Sequence, residues 1–301
     1  MNQNLKLFAT DMDGTFLRND HSYNHKKLAE VIKKIQDRNL LFAASSGRSL
    51  LGLIEVFSEY KDQMAFVAEN GGVVAYKGEI LFAKDLTVAQ TQELIDDLQE
   101  MPFSPKNDYL ISGLKGAYYP EGISKEYLAH AKLYYPNCQL YHRLDDIDDK
   151  LLKVTTNFPE DHVRDCEQWI TDRLSFVRAT TTGFTSIDIV PNGISKASGV
   201  AHVLESQNLK PINAMMFGDG PNDMEIFDYV GLKIAMANAV PELKEKADFV
   251  TKTVEEDGIL YALEELGLVE KQLNFPQVDL STVEGPVATI KTNHGDMKIK
   301  L

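Results

Sequence analysis

Short, nearly pure apolar runs recur over the first 83 residues, and each ends in a polar cluster. Residues 5–10 lead into Asp11-Met12-Asp13-Gly14-Thr15, residues 40–44 into Ser45-Ser46-Gly47-Arg48, and residues 65–68 into Glu69-Asn70-Gly71-Gly72. Runs of that length and purity are the pattern of strands buried on both faces of a parallel sheet. Between them Leu28, Val31, Ile32 and Ile35, then Leu50, Leu53, Ile54 and Phe57, recur at helical spacing. Strand–helix–strand units with right-handed parallel crossovers follow. Residues 73–76 and 80–82, around Lys77-Gly78-Glu79, predict a hairpin.

From about residue 84 the pattern changes. Helical stripes (Val88, Leu94, Ile95, Leu98; Leu128, Ala131, Leu133; Val163, Cys166, Trp169, Ile170) alternate with mixed polar and apolar strands near 109–114, 117–119, 151–158 and 176–181. Mixed strands suit an antiparallel sheet with one open face. Residues 84–186 are therefore read as an inserted α+β domain. Asp145-Asp146-Ile147-Asp148-Asp149 inside it is read as a solvated acidic turn.

Around residue 187 the first pattern is expected to resume. Residues 187–190 lead to Asn192-Gly193-Ile194-Ser195-Lys196, and residues 214–217 lead to Gly218-Asp219-Gly220-Pro221-Asn222-Asp223. The expected fold class is α/β: a Rossmann-like, doubly wound parallel sheet built from residues 1–83 and 187–270, carrying the insertion 84–186. Residues 271–301 stand apart from both.

Composition narrows the function. The 301 residues are 44% hydrophobic and 25% charged, enough apolar material for real cores. With 31 basic against 45 acidic residues the net charge is −14, which makes nucleic acid or an anionic membrane a poor partner. No stretch approaches the roughly 18 apolar residues of a membrane span. Asp11 and Asp13 also interrupt the region where a signal peptide keeps its apolar segment, so a cytoplasmic protein is expected. Cys138 and Cys166 lack the spacing of a disulfide framework or a zinc site and read as packed thiols.

In an open α/β sheet, ligands collect at the carboxyl ends of the strands. Four clusters converge there: Asp11 with Asp13, Ser46 with Arg48, Lys196, and Asp219 with Asn222 and Asp223. A calcium loop counted from Asp11 would need Gly and Glu where Phe16 and Ser22 stand. Four converging carboxylates repel one another, and an all-oxygen set asks for a cation of the Mg2+ type. Lys196, the Ser46 hydroxyl and backbone N–H groups at Gly14 and Gly47 would then cradle a phosphoryl group. The chain has no G-x-x-x-x-G-K-[ST] loop, so a kinase of that type is not implied. A carboxylate is available as nucleophile instead: Asp11 can attack phosphorus, while Asp13 protonates the departing alcohol and deprotonates the attacking water.

In order and spacing, Asp11-x-Asp13-Gly14-Thr15, Ser46-Gly47-Arg48, Lys196 and Gly218-Asp219-Gly220-x-Asn222-Asp223 resemble the four motifs of the haloacid dehalogenase-like hydrolases. The insertion between the second and third motifs is similar to the type II cap of the Cof-like phosphatases. Glu69-Asn70-Gly71 is similar to their E-N-G segment. The resemblance implies Asp11 as nucleophile and metal ligand, Asp13 as acid/base and ligand through its backbone carbonyl, and Asp219 as ligand. It further implies Ser46 and Lys196 on the phosphate, with Asn222 and Asp223 completing the metal and phosphate surround. The expected activity is Mg2+-dependent hydrolysis of a small phosphorylated metabolite such as a sugar phosphate, nucleotide or phosphorylated cofactor. Arg48, Lys106, His142, Lys153, Asn157 and Arg178 are candidates for reaching the leaving group.

Residues 287–301 resemble the opening strand pair of a bacterial cyclophilin-type prolyl isomerase, which implies a phosphatase–isomerase fusion with 271–286 as linker; a plain added hairpin is the alternative. Two rival functions remain at this level. A phosphomutase would pass the same phosphoryl group to a sugar hydroxyl, and a non-catalytic phosphate-binding module would serve a fused isomerase.

Overall fold

The computed structural model describes residues 5–135, 137–182 and 185–266, together with 287–292 and 295–300. The chain opens with β1 (Leu7–Thr10), in which every residue is buried. Helix α1 (His25–Asp37) turns Leu28, Val31, Ile32 and Ile35 to the core, and β2 (Leu41–Ser45) follows. Next come α2 (Leu50–Val56) and β3 (Ala65–Ala68). These three strands are parallel, as the crossovers predict. Then β4 (Val73–Tyr76) and β5 (Glu79–Ala83) form the expected hairpin and end the sheet with two antiparallel strands.

The insertion begins with α3 (Val88–Glu100), started by a reciprocal cap between Thr87 and Gln90. It continues through β6 (Tyr109–Ser112), β7 (Ala117–Pro120), α4 (Lys125–Ala131), β8 (Cys138–Tyr141), β9 (Lys153–Asn157), α5 (Val163–Arg173), β10 (Val177–Thr181) and β11 (Ser186–Pro191). They make a second sheet in the order β10-β11-β9-β6-β7-β8, antiparallel except between β7 and β8. Cys166 is buried on the apolar side of α5, as its position in the stripe predicts. The Asp149 carboxylate accepts the Lys115 N–H at 2.8 Å and the Tyr118 hydroxyl at 2.9 Å, so the acidic turn is braced by its own neighbours.

Two expectations are corrected here. Residues 187–190 do not resume the core sheet: β11 pairs antiparallel with β9 and β10. The reason lies in its alternation. Ile187 and Ile189 join the apolar cluster with Leu94, Leu98 and Ile170 of the insertion, while Asp188 and Val190 point the other way. Nor is that other face wholly open to water. Its Lys153 and Asp188 are 1% and 4% exposed, because the first sheet's loops cover them.

The core resumes with α6 (Lys196–Ser206), β12 (Ala214–Gly218), α7 (Met224–Tyr229), β13 (Leu232–Ala235), α8 (Pro241–Lys246), β14 (Phe249–Val250) and α9 (Gly258–Glu265). The first sheet reads β14-β13-β12-β1-β2-β3-β4-β5, parallel from β14 to β3. Contacts divide the chain into Met1–Val269 and Glu270–Leu301. Within the second unit, β15 (Val287–Thr292) and β16 (Gly295–Lys300) form an antiparallel pair, the strand pair expected there. The expected linker 271–286 lies outside the described residues. Among the described residues no helix is long and apolar enough to cross a membrane.

One glycine joins the turn after β3 to the start of α6. Gly71 has φ +99, and a Cβ built on it would lie 2.1 Å from the Ser195 carbonyl oxygen. A side chain there meets an unfavourable backbone region and a backbone clash together. Gly71→Ala is expected to cost at least about 2 kcal/mol, read as a lowered midpoint in urea unfolding.

Candidate active site

The carboxyl ends of β1 and β12 meet at Asp11, whose N–H donates to the Phe217 carbonyl at 2.9 Å. Asp219 follows β12, and the Thr15 hydroxyl donates to its Oδ1 at 2.5 Å. Gly14, at φ +83, leaves room for this approach: a Cβ there would stand 2.4 Å from Asp219 Oδ2. Asp223 accepts the backbone N–H groups of Asp219 and Gly220 at 3.0 and 3.1 Å. Lys196 arrives from the insertion's side of the chain, as the first residue of α6 behind the capping Ser195. Its ammonium is 1% exposed and donates to Asp11 Oδ1 at 2.6 Å and to Asp223 Oδ1 at 2.7 Å.

Charge is not balanced in this cluster. One oxygen from each of Asp11, Asp219 and Asp223 lies within 4.8 Å of the others, against the single ammonium of Lys196. Burial pushes the Asp11 pKa well above the carboxylate range; Lys196 opposes the rise, and Asp223 and Asp219 add to it. Burial likewise raises Asp219 to about 6, against the Thr15 hydrogen bond and with help from Asp223. Burial also disfavours the Lys196 ammonium, but Asp11 and Asp223 outweigh that and hold its pKa above the usual lysine value. An oxygen-only donor set with unrelieved negative charge fits a hard divalent cation.

Ser46, Gly47 and Arg48 form the loop between β2 and the Ser49 cap of α2. Their three carbonyls are held from behind: Ser46 O accepts the Asn70 N–H at 2.9 Å, Gly47 O the Lys153 ammonium at 2.6 Å, and Arg48 O the Glu69 N–H at 3.0 Å. The Arg48 guanidinium grips Asp13 through both carboxylate oxygens, its Nε donating at 2.8 Å, and lies 5.7 Å over the Tyr134 ring of the insertion. Asp13 is half-exposed, so its carboxylate faces the entrance while Asp11 lies inside.

The leaving-group candidates separate sharply. Arg178 lines a cavity of about 380 Å³ with Lys196 and Asn222, and its Nη1 donates to Glu225 of α7 at 2.6 Å. Lys106 and His142 are exposed, and Asn157 is half-buried at the end of β9 outside the cavity lining. Lys153 is the correction: it is buried, 2.8 Å from Glu69 and 3.1 Å from Asp188, with its pKa held well above the usual lysine value by those carboxylates against desolvation. A lone lysine at a strand start reads as a surface residue until its two acids are found. Glu69, Asn70, Asp188 and Glu225 were not anticipated at the site. For Asp188 a signal existed, a charged residue inside the apolar run 187–190.

The sequence pattern of the haloacid dehalogenase-like hydrolases matches residues 8–263, and all the site residues above lie inside that match. The chain belongs to this family. It is 35% identical to a Streptococcus pyogenes protein named as a bifunctional phosphatase/peptidyl-prolyl cis-trans isomerase, over 99% of this chain and 61% of that protein. The chain thus spans about three fifths of that relative's length. It is 31% identical to a Bacillus subtilis protein named as a phosphatase, YkrA, over 88% of this chain and 99% of that one. A crystal structure from Streptococcus mutans UA159 superposes with TM-score 0.81 at 28% identity, over 87% of this chain and 98% of the other. Both named relatives carry phosphatase in their names, and this chain is a haloacid dehalogenase-like hydrolase.

The cluster predicts opposite effects of two substitutions in divalent-free buffer. In this hydrolase Lys196→Met leaves Asp11 and Asp223 buried without their ammonium and is expected to cost about 3–5 kcal/mol in chemical unfolding. Asp219→Asn removes repulsion. Because the folded pKa of Asp219 is about 6, above its ordinary 3.8, the folded state holds this proton longer than the unfolded chain. Its contribution to stability therefore falls as pH rises from about 4 to about 6. Asp219→Asn should gain on the wild type across that window and keep the gain at neutral pH.

Proposed function

We propose that the protein is a Mg2+-dependent phosphatase that hydrolyses a small phosphorylated metabolite through a phosphoryl group carried on Asp11. The supporting observation is the pairing of Asp11 with Lys196 beside Asp219 and Asp223, all at the carboxyl edge of the parallel sheet. Asp11, Asp219 and Asp223, with the Asp13 backbone carbonyl, would hold the cation. When bound, it supplies positive charge for the phosphoryl oxygens and relieves the repulsion among the three carboxylates.

The chain's own groups do the rest. Lys196 fixes the Asp11 carboxylate and offers charge to the phosphate, while the Ser46 hydroxyl and the Gly47 N–H face it from the second loop. Asp11 attacks phosphorus, and the bond to the leaving oxygen breaks. Asp13 protonates that oxygen, then takes a proton from the water that frees Asp11. In the structure Arg48 holds Asp13. An incoming phosphate gives Arg48 another anion to pair with, which releases Asp13 for proton transfer. The insertion, touching Arg48 through Tyr134 and Glu225 through Arg178, acts as the cap that closes over the site and excludes water. The leaving group then occupies the cavity beside Lys196 and Asn222. Fusion to a prolyl isomerase in a longer protein accords with the name of the Streptococcus pyogenes relative.

The test separates the two aspartates. Asp11→Asn is expected to lower turnover at least ~10³-fold for every ester, roughly 4 kcal/mol of barrier. Asp13→Asn should lose ~10²–10⁴-fold on alkyl phosphates. With p-nitrophenyl phosphate, whose leaving group needs little protonation, its phosphorylation step should be partly rescued. Rescue of Asp11→Asn instead would reverse the assigned roles. Chelation of divalent cations should abolish wild-type turnover, and added Mg2+ should restore it.

A further inference from the structure

The turn after β3 carries a feature the phosphatase chemistry leaves unused. Glu69, Asn70 and Gly71 have φ +51, +54 and +99, three successive residues in the left-handed region. Asn enters that region more readily than most residues and Glu does not, so the turn is held by its surroundings. Glu69 and Asn70 donate their N–H groups to the Arg48 and Ser46 carbonyls, and Gly71 abuts Ser195. The turn is thereby clamped between the phosphate loop and the start of α6.

That clamp aims one side chain. Asn70 is 5% exposed, and its Nδ2 donates to Asp188 Oδ2 at 2.7 Å. The orientation is chemically determined: the Asp188 carboxylate only accepts, and the Lys153 ammonium stands 3.1 Å from the same oxygen. Flipping the amide would set two acceptors against each other. Oδ1 is therefore the free end, and it has no hydrogen-bond partner. Buried acceptors without donors are uncommon in folded proteins and mark a place where a ligand or water belongs.

Asn70 lines the same cavity as Lys196, Asn222 and Arg178. Its Oδ1 is close to the phosphate loop, since a Cβ built on Gly47 would lie 3.2 Å from it. A dianionic phosphate has only acceptors to offer, so a substrate that supplies the missing donor does so from its organic part. We propose that Asn70 is a specificity-determining residue: its Oδ1 accepts a hydrogen bond from a hydroxyl group carried near the phosphate on the leaving alcohol, with Asp188 and Lys153 as positioning residues behind it. This rests on the phosphatase reading above and adds the leaving-group chemistry that the site selects.

A matched pair of esters tests it at pH 8, where the phosphate is dianionic: sn-glycerol 3-phosphate and propyl phosphate, with p-nitrophenyl phosphate as a general substrate. The wild type with Mg2+ should favour the hydroxylated ester at least about tenfold in kcat/KM, the scale of discrimination expected when a buried polar group loses its partner. Asn70→Gly suits the left-handed backbone and should bring that ratio to within about threefold of one; Asn70→Ala is read the same way if the glycine variant does not fold. Equal losses on both esters would reduce Asn70 to a structural role and overturn the inference. Hydrolysis of p-nitrophenyl phosphate by the wild type without preference for the hydroxylated ester overturns it alone, whereas no hydrolysis of any ester overturns the phosphatase reading as well.

Discussion

A buried ammonium between two buried carboxylates holds this site together. Lys196 reaches Asp11 and Asp223 at 2.6 and 2.7 Å, and without it both buried carboxylates would lose their ammonium partner. The three residues come from the ends of β1 and β12 and from the start of α6, so one interaction ties the centre of the sheet to the helix that follows the insertion. Capping extends the tie. Ser195, which starts α6, donates its hydroxyl to Glu225 at 2.6 Å, and Glu225 in turn receives Arg178 from the second sheet. The position of the lysine that meets Asp11 is thus coupled to the insertion through two side chains.

The second sheet serves the first through the period-two alternation of its strands. Along β9, β10 and β11, Val154, Val177, Ala179, Ile187 and Ile189 turn toward α3 and α5. Lys153, Arg178, Thr180 and Asp188 turn the other way, into the cavity or the buried cluster beside it. One face builds the insertion's own core, and the other supplies polar groups to a site whose carboxylates lie on the first sheet. β9 and β11 carry the most deeply buried of those groups.

The core and the carboxylates were legible because their signals are local. A pure apolar run followed by Asp11-x-Asp13 or Gly218-Asp219 reads as a strand and its carboxyl end without knowledge of any partner. The misplaced β11 has the opposite character: Ile187, Ile189 and Val190 give the apolar count of a core strand, and only pairing with β9 and β10 reveals a two-faced one. Lys153 was misjudged for a related reason. Its acids, Glu69 and Asp188, lie 84 and 35 residues away in the chain, so its burial depends on contacts that no short window contains. Glu69 and Asn70 were legible as a turn but not as a left-handed one, since Asn-Gly announces the bend and Glu at φ +51 does not.

The buried set of Lys153, Asp188, Glu69 and Asn70 also bears on how such proteins can be recombined. Two of its members sit on the second sheet and two on the core, and Lys153 holds the Gly47 carbonyl. An insertion exchanged between relatives at the chain connections alone would bring one half of a charge network to meet a foreign half, leaving a buried ion without its counterpart. The natural unit of exchange is larger than the inserted segment: it includes the turn after β3, more than 80 residues upstream of the lysine it serves. Diversification of the cavity beside Lys196 should therefore proceed by substitution at half-buried wall positions such as Arg178 and Thr180, while this four-residue set travels intact.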